Sequence, residues 1–133
     1  MRGPVLAVML LLAGCAGFPQ PSCPAGLQPM TKAELYFGRD IGDRSGVGDA
    51  DWQHFLDEEV TPRFPDGLTV EDASGQWHGA DGAVVREASK IITIVLPDAA
   101  DAQTKLAAIR EAYKKRFHQD SVLILEYPSC GSF

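Results

Sequence analysis

The stretch KIITIVLPDAADAQTKLAAIREAYKKRF, residues 90–117, decides the fold. Its first seven residues, Lys90 to Leu96, are β-branched and apolar on both faces of a period-two pattern, which predicts a buried central strand. Pro97 ends the strand and Asp98 caps a helix running to Phe117, in which Ala102, Leu106, Ile109, Tyr113 and Phe117 recur at helical spacing as an inward stripe. Its charges follow the helix dipole, with Asp98 and Asp101 at the start and Lys114, Lys115 and Arg116 at the end. Beyond it, Ser121 to Tyr127 is apolar on both faces and reads as the last strand.

Upstream the same logic gives a first half. Ala33 to Arg39 alternates, Leu35 and Phe37 against Glu34 and Tyr36, and predicts a half-buried strand. A Gly/Asp-rich loop from Asp40 to Asp49 leads to a helix capped by Asp49 or Asp51, with Trp52, Phe55, Leu56 and Val60 on one face. Pro62 and Pro65 stop it, and Gly67 releases a second strand in which Leu68 and Val70 alternate with Thr69 and Glu71. Between Ala73 and Ala88, Gly75, Gly79 and Gly82 punctuate a protruding hairpin that carries Trp77. The order strand, helix, strand, strand, helix, strand predicts an α+β, ferredoxin-like βαββαβ sandwich: a four-stranded antiparallel sheet with two helices on one face. Helices cover only that face, so the apolar residues of the other need a second cover. The candidates are the Trp77 hairpin, the amino-terminal tether pinned by cysteines, and a second copy of the chain forming a homodimer through the sheet face.

At 133 residues, 45% apolar and 23% charged, the chain has enough material for one domain with its own core. A formal net charge of -6 argues against a nucleic-acid partner. Residues 1–14 read as a signal peptide: Arg2 supplies the positive start, and the eight apolar residues Val5 to Leu12 are too few to span a bilayer core of about 30 Å. Leu12-Ala13-Gly14-Cys15 resembles the lipobox of bacterial lipoproteins. Cys15 is then the lipidation site, with palmitate-like chains as a membrane anchor. Ala16 after it resembles the signal for outer-membrane sorting, which puts the protein in the cell envelope facing the periplasm. Pro19, Pro21, Pro24 and Pro29 make residues 15–32 a flexible tether before a single domain at 33–133. In that oxidising compartment the two remaining cysteines, Cys23 and Cys130, read as a disulfide bond.

Chemical signatures are sparse. His54, His78 and His118 are far apart, so no metal site is expected. The acidic residues Asp40, Asp43, Asp49 and Asp51 lack the ligand order of a calcium loop. The glycines from Gly42 to Gly48 match no phosphate-binding pattern, so no cofactor is expected. Neither Ser74, Ser89 nor Ser121 sits in a nucleophile elbow, and no catalytic residue is assigned. What stands out is a set of residues suited to binding: Trp77 in its hairpin, with Arg39, Arg63, Glu87 and Lys90 in loops that this fold can bring together.

Leu35-Tyr36-Phe37-Gly38-Arg39, the run Trp52-Gln53-His54-Phe55-Leu56-Asp57-Glu58-Glu59-Val60-Thr61-Pro62-Arg63-Phe64-Pro65-Asp66-Gly67-Leu68, Gly75-Gln76-Trp77, Arg86-Glu87-Ala88-Ser89-Lys90 and Tyr113-Lys114-Lys115-Arg116-Phe117 together resemble domain-of-unknown-function family 3574. This is a family of small exported bacterial proteins, many with lipoprotein signals, and the likeness covers about residues 31–133. It implies membership and address and carries no activity with it. The expected function is a non-enzymatic envelope domain that binds a partner protein or small ligand. The alternative is a cofactor-independent small-molecule enzyme of the dimeric α+β barrel type, with Tyr36, Arg63 and Glu87 serving a cavity between sheet and helices.

Overall fold

A computed structural model describes residues 22–41, 44–97 and 100–133. The expected signal peptide, Cys15 with its lipid, the first part of the tether, Asp43 and the Asp98 cap lie outside the described residues. Strand β1 spans Gln28–Gly38, and two-residue strands β2 (Asp40–Ile41) and β3 (Arg44–Ser45) follow it. Helix α1 (Asp49–Phe55) runs on into a π-helical turn at Leu56–Val60. Then come β4 (Thr69–His78), β5 (Val84–Leu96), α2 (Ala102–Phe117) and β6 (Leu123–Gly131). The long strands form one sheet in the order β4-β5-β1-β6 with every neighbouring pair antiparallel. This is the expected ferredoxin-like sandwich.

Period-two alternation sends Leu35 and Phe37 of β1 and Ile92 and Ile94 of β5 to the helical side, where they are buried. They meet Trp52, Phe55 and Val60 from the first helix and Leu106, Ile109 and Tyr113 from α2, all buried in one cluster. The Phe37 ring lies edge-on to Trp52, Phe55 and Tyr113 at centroid distances of 5.2, 5.8 and 4.7 Å, the geometry that the aromatic quadrupole favours. The π-helical turn, closed by Thr61 N–H donating to Leu56 O at 2.9 Å, lets Leu56 and Val60 stay on the buried face with Phe55. Tyr113 also fastens the end of β1, its hydroxyl donating to Gly38 O at 2.8 Å. Burial pushes that hydroxyl above the usual tyrosine range, so it stays a donor.

Several boundaries differ from the sequence reading. β1 begins at Gln28, so residues 28–32 belong to the sheet and not to the tether. Pro29 is accommodated because it pairs with Cys130 on β6, while β5 reaches only as far as the Thr31–Leu96 pair. There β1 is locally an edge, where proline is tolerated. β5 starts at Val84 and β4 runs to His78, making the hairpin a continuous extension of the sheet. β6 starts at Leu123 and runs on to Gly131. The N-cap of α1 is Gly48, with no side-chain cap; neither Asp49 nor Asp51 plays that part, because Asp49 is drawn to Arg39. α2 begins at Ala102, after Asp101, whose carboxylate pairs with Lys105 at 2.8 Å. Cys23 and Cys130 are joined by a disulfide, Cα atoms 5.6 Å apart, which ties residues preceding β1 to the end of β6.

Among the described residues nothing covers the second sheet face. Leu123 is 53% exposed there, and Leu125, Tyr127 and Val95 are also exposed. Neither the hairpin, whose Trp77 is itself exposed, nor residues 22–27 beside the disulfide cover them.

Candidate functional site

Past the Gly38–Ser89 pair, β1 turns away and the β4–β5 hairpin continues alone, from Ser74–Ala88 to His78–Val84. Alternation puts Gly75 and Trp77 of β4 and Val85 and Glu87 of β5 on the open side of this extension. The Glu87 carboxylate reaches across and accepts the Asp40 N–H at 2.9 Å. Gly38 permits this approach, since a Cβ there would lie 2.4 Å from Glu87 Oε1. On the other flank the α2–β6 turn begins with His118 in the left-handed conformation, φ 53°, at the helix C-cap. Its Gln119 side-chain amide donates to Asp40 O. The hairpin, the end of β1 and this turn enclose a groove of about 580 Å³, whose walls carry Tyr36, Trp77, Glu87, His118 and Asp120. Trp77 is 48% exposed in it.

The groove has a distinct charge. Asp40, Glu87 and Asp120 line it, and no lysine or arginine is among the described lining residues. Tyr36, at its inner end, donates to Glu34 at 2.8 Å, and Lys32 pairs with the same carboxylate at 2.8 Å. The Lys32 ammonium, and after it the Tyr36 hydroxyl, hold Glu34 below the usual carboxylate range. Glu34 in turn raises the pKa of both Lys32 and Tyr36.

Of the five residues expected to bind, only Trp77 and Glu87 meet in this groove. Arg39 and Lys90 lie on the helical side. Arg39 donates to Val47 O and to Asp49, each at 2.8 Å, while Lys90 pairs with Asp72 and lies 4.0 Å from Asp49. The reason is parity: Glu87 and Lys90 are three residues apart on β5, so they project to opposite faces. Arg63 lies at the far end of the domain, bound to Glu59 one helical turn before it at 2.8 Å. It borders a second hollow of about 720 Å³ with Phe64, Leu68 and Val95. That hollow's Arg63, Asp101 and Lys105 are all engaged in ion pairs with their own stretch of chain, which leaves the first groove the better-equipped site.

The cavity expected between sheet and helices is filled by the Phe37 aromatic cluster. Tyr36 and Glu87 both line one groove, but on the open face, without Arg63 and each bonded to another partner. Sequence reasoning passed over His118, Gln119 and Asp120 as site residues. Their only local signal is their place just after the helix, and the sheet order is what carries them to the hairpin. Among the described residues no cluster of histidine, cysteine and acidic side chains could hold a metal.

The four-stranded antiparallel sheet with two helices on one face and a groove on the other defines a ferredoxin-like α+β domain. The chain belongs to the family DUF3574, described as a protein of unknown function, whose model matches residues 32–133. Among solved structures it is similar to a phage SAM lyase in complex with S-methyl-5'-thioadenosine, with TM-score 0.61 and 18% identity over 78% of this chain and 88% of the lyase. The apo lyase gives TM-score 0.58 and 17% identity over 85% and 94%. CutA from Synechococcus elongatus gives 0.50 and 9% over 78% and 80%. These are likenesses of fold. No curated protein matches the chain.

Proposed function

We propose that this protein is a lipid-anchored envelope protein, held at the outer membrane through Cys15, that binds a partner protein or small ligand in the groove of its open sheet face. The observation that carries the reading is the pairing of an exposed indole, Trp77, with the Tyr36 ring and the Glu87 carboxylate along one groove. An aromatic face beside the carboxylates of Asp40, Glu87 and Asp120 suits a ligand group that is positively charged or rich in N–H donors. The Cys15 anchor rests on the lipobox-like sequence before it.

Pull-down from detergent-solubilised envelopes with the native protein and with Trp77→Ala tests the groove, and loss of the specific partner from the variant is the expected result. Equal recovery from both would remove the hairpin from the binding surface. Cys15→Ser tests the address: the protein should leave the membrane fraction, and its mature amino-terminal peptide should lose the mass of its acyl chains. A second reading, a small-molecule enzyme acting at the same groove, is favoured by the meeting of Tyr36 and Glu87 there. Calorimetric titration with S-methyl-5'-thioadenosine, the ligand of the phage lyase, is its first probe. Heat of binding shows only that the groove takes such a ligand; turnover of SAM that Glu87→Gln abolishes would support an enzyme, and binding without turnover would leave the binding-domain reading ahead.

A further inference from the structure

We propose that the open sheet face is a self-association surface, covered in the native protein by a second copy of this chain. The face is apolar where a free surface would be polar. Val95 on β5 and Leu123, Leu125 and Tyr127 on β6 are each more than a third exposed, and the register places them on either side of β1, with Lys32 opposite Val95 and Tyr127, and Glu34 opposite Leu125. Exposed apolar side chains gathered on one face of a folded domain, here flanking the Lys32–Glu34 pair, mark an interaction site.

Three features select a second copy as the occupant. First, the chain's own candidates fail among the described residues: the β4–β5 hairpin extends the sheet, and residues 22–27 leave the patch exposed. Residues 15–21, Cys-Ala-Gly-Phe-Pro-Gln-Pro, offer a single large apolar side chain, Phe18, too little to cover strands on both flanks of β1. Second, the face carries both signs of charge. Lys32 on β1 is paired with Glu34 at 2.8 Å and also feels the carboxylate of Glu71 on β4, so a copy related by a two-fold axis can set the Lys32 of each chain against carboxylates of the other. Third, the size fits. Four strands about 4.8 Å apart and about nine residues long, rising about 3.3 Å each, span roughly 19 by 30 Å. At about 570 Å² in projection, this is near the low end of the roughly 600–1,000 Å² that each partner contributes to a stable interface. Leu123 and Tyr36 also line the groove, so the second copy would border the groove's open side. The inference does not depend on what the groove binds.

The test is photocrosslinking in intact envelopes with a benzoylphenylalanine at position 125, beside the mass of the detergent-purified full-length mature protein by light scattering. A crosslinked band at a whole-number multiple of the chain mass and a native particle of more than one chain are expected. Leu125→Lys with Val95→Lys should reduce the particle to a single chain while circular dichroism stays native, and Ala107→Lys on the exposed side of α2 should leave it associated. If the double variant does not fold, the crosslink decides alone. A crosslink at position 125 to a different protein or within the same chain, a native protein of one chain mass, or a folded double variant that stays associated would overturn the proposal.

Discussion

Removing the disulfide should destabilise this domain by as much as truncating a large core side chain. Cys23 and Cys130 are separated by 107 residues and close nearly the whole described chain into one loop. In the chain-entropy relation a loop of that length restricts the unfolded ensemble by about 16 cal/mol/K, or about 4.8 kcal/mol at 25 °C. This is a ceiling, since denatured chains keep some compactness, and the loss typical of natural bridges is about 2–4 kcal/mol. For a domain near 100 residues each kcal/mol moves the melting temperature by about 4 °C, so Cys23→Ala with Cys130→Ala should lower it by about 8–16 °C. Urea unfolding followed by circular dichroism separates the cause. If the bridge acts on the unfolded state, its removal exposes more chain on unfolding and the m-value rises as the midpoint falls. A double variant that melts within about 2 °C of the native protein would refute the reasoning. A fall in midpoint with an unchanged m-value would place the effect in native contacts between the start of β1 and the end of β6 instead.

Phe55→Ala removes a ring that touches Phe37, Trp52, Tyr113 and Phe117 and should destabilise the domain by about 3–5 kcal/mol in urea unfolding; a cost below 1 kcal/mol would mean the cluster closes over the gap. Gly38→Ala drives its Cβ into the Glu87 carboxylate and detaches it from the Asp40 N–H, at a cost of about 1 kcal/mol. In a Glu87→Ala background the same substitution should cost almost nothing, and equal costs in both backgrounds would deny the contact. Lys32 holds Glu34 below the ordinary carboxylate range, as Lys90 does Asp72 and Lys105 does Asp101. A depressed folded pKa gives stability that is complete above the unfolded value of about 4 and is lost as pH falls through the folded one. The melting temperature should therefore drop below about pH 4, with a shallower drop in Glu34→Gln; an identical acid limb in that variant would remove Glu34 from the account.

Much of the fold was legible in the chain because its signals are local. The stripe from Ala102 to Phe117 and the alternation through Leu35 and Phe37 are periodicities that any packing must respect, and each of those residues is buried. Boundaries were less legible where a neighbour decides them. Pro29 enters a strand only because β5 stops short beside it, and Asp49 leaves the helix cap because Arg39 is nearby. The candidate site divides in the same way. Trp77 announced itself through its glycine-rich hairpin. Arg39 and Lys90 look in sequence like neighbours of Glu87, but strand parity sends them to the other face, and the place of His118 and Asp120 just after a helix is too weak a signal to mark them.

The sequence alone determined the strands and helices, through spacings of two to four residues, and their order, which with right-handed crossovers puts two helices on one face of a four-stranded sheet and leaves apolar side chains on the other. Only the tertiary structure decided which residues meet in the groove. The β4–β5 hairpin brings Trp77 and Glu87 together locally, but Tyr36 and Asp120 come from segments far apart in the chain, and their meeting with the hairpin depends on strand order and on where β1 turns aside, neither of which any short stretch of residues encodes.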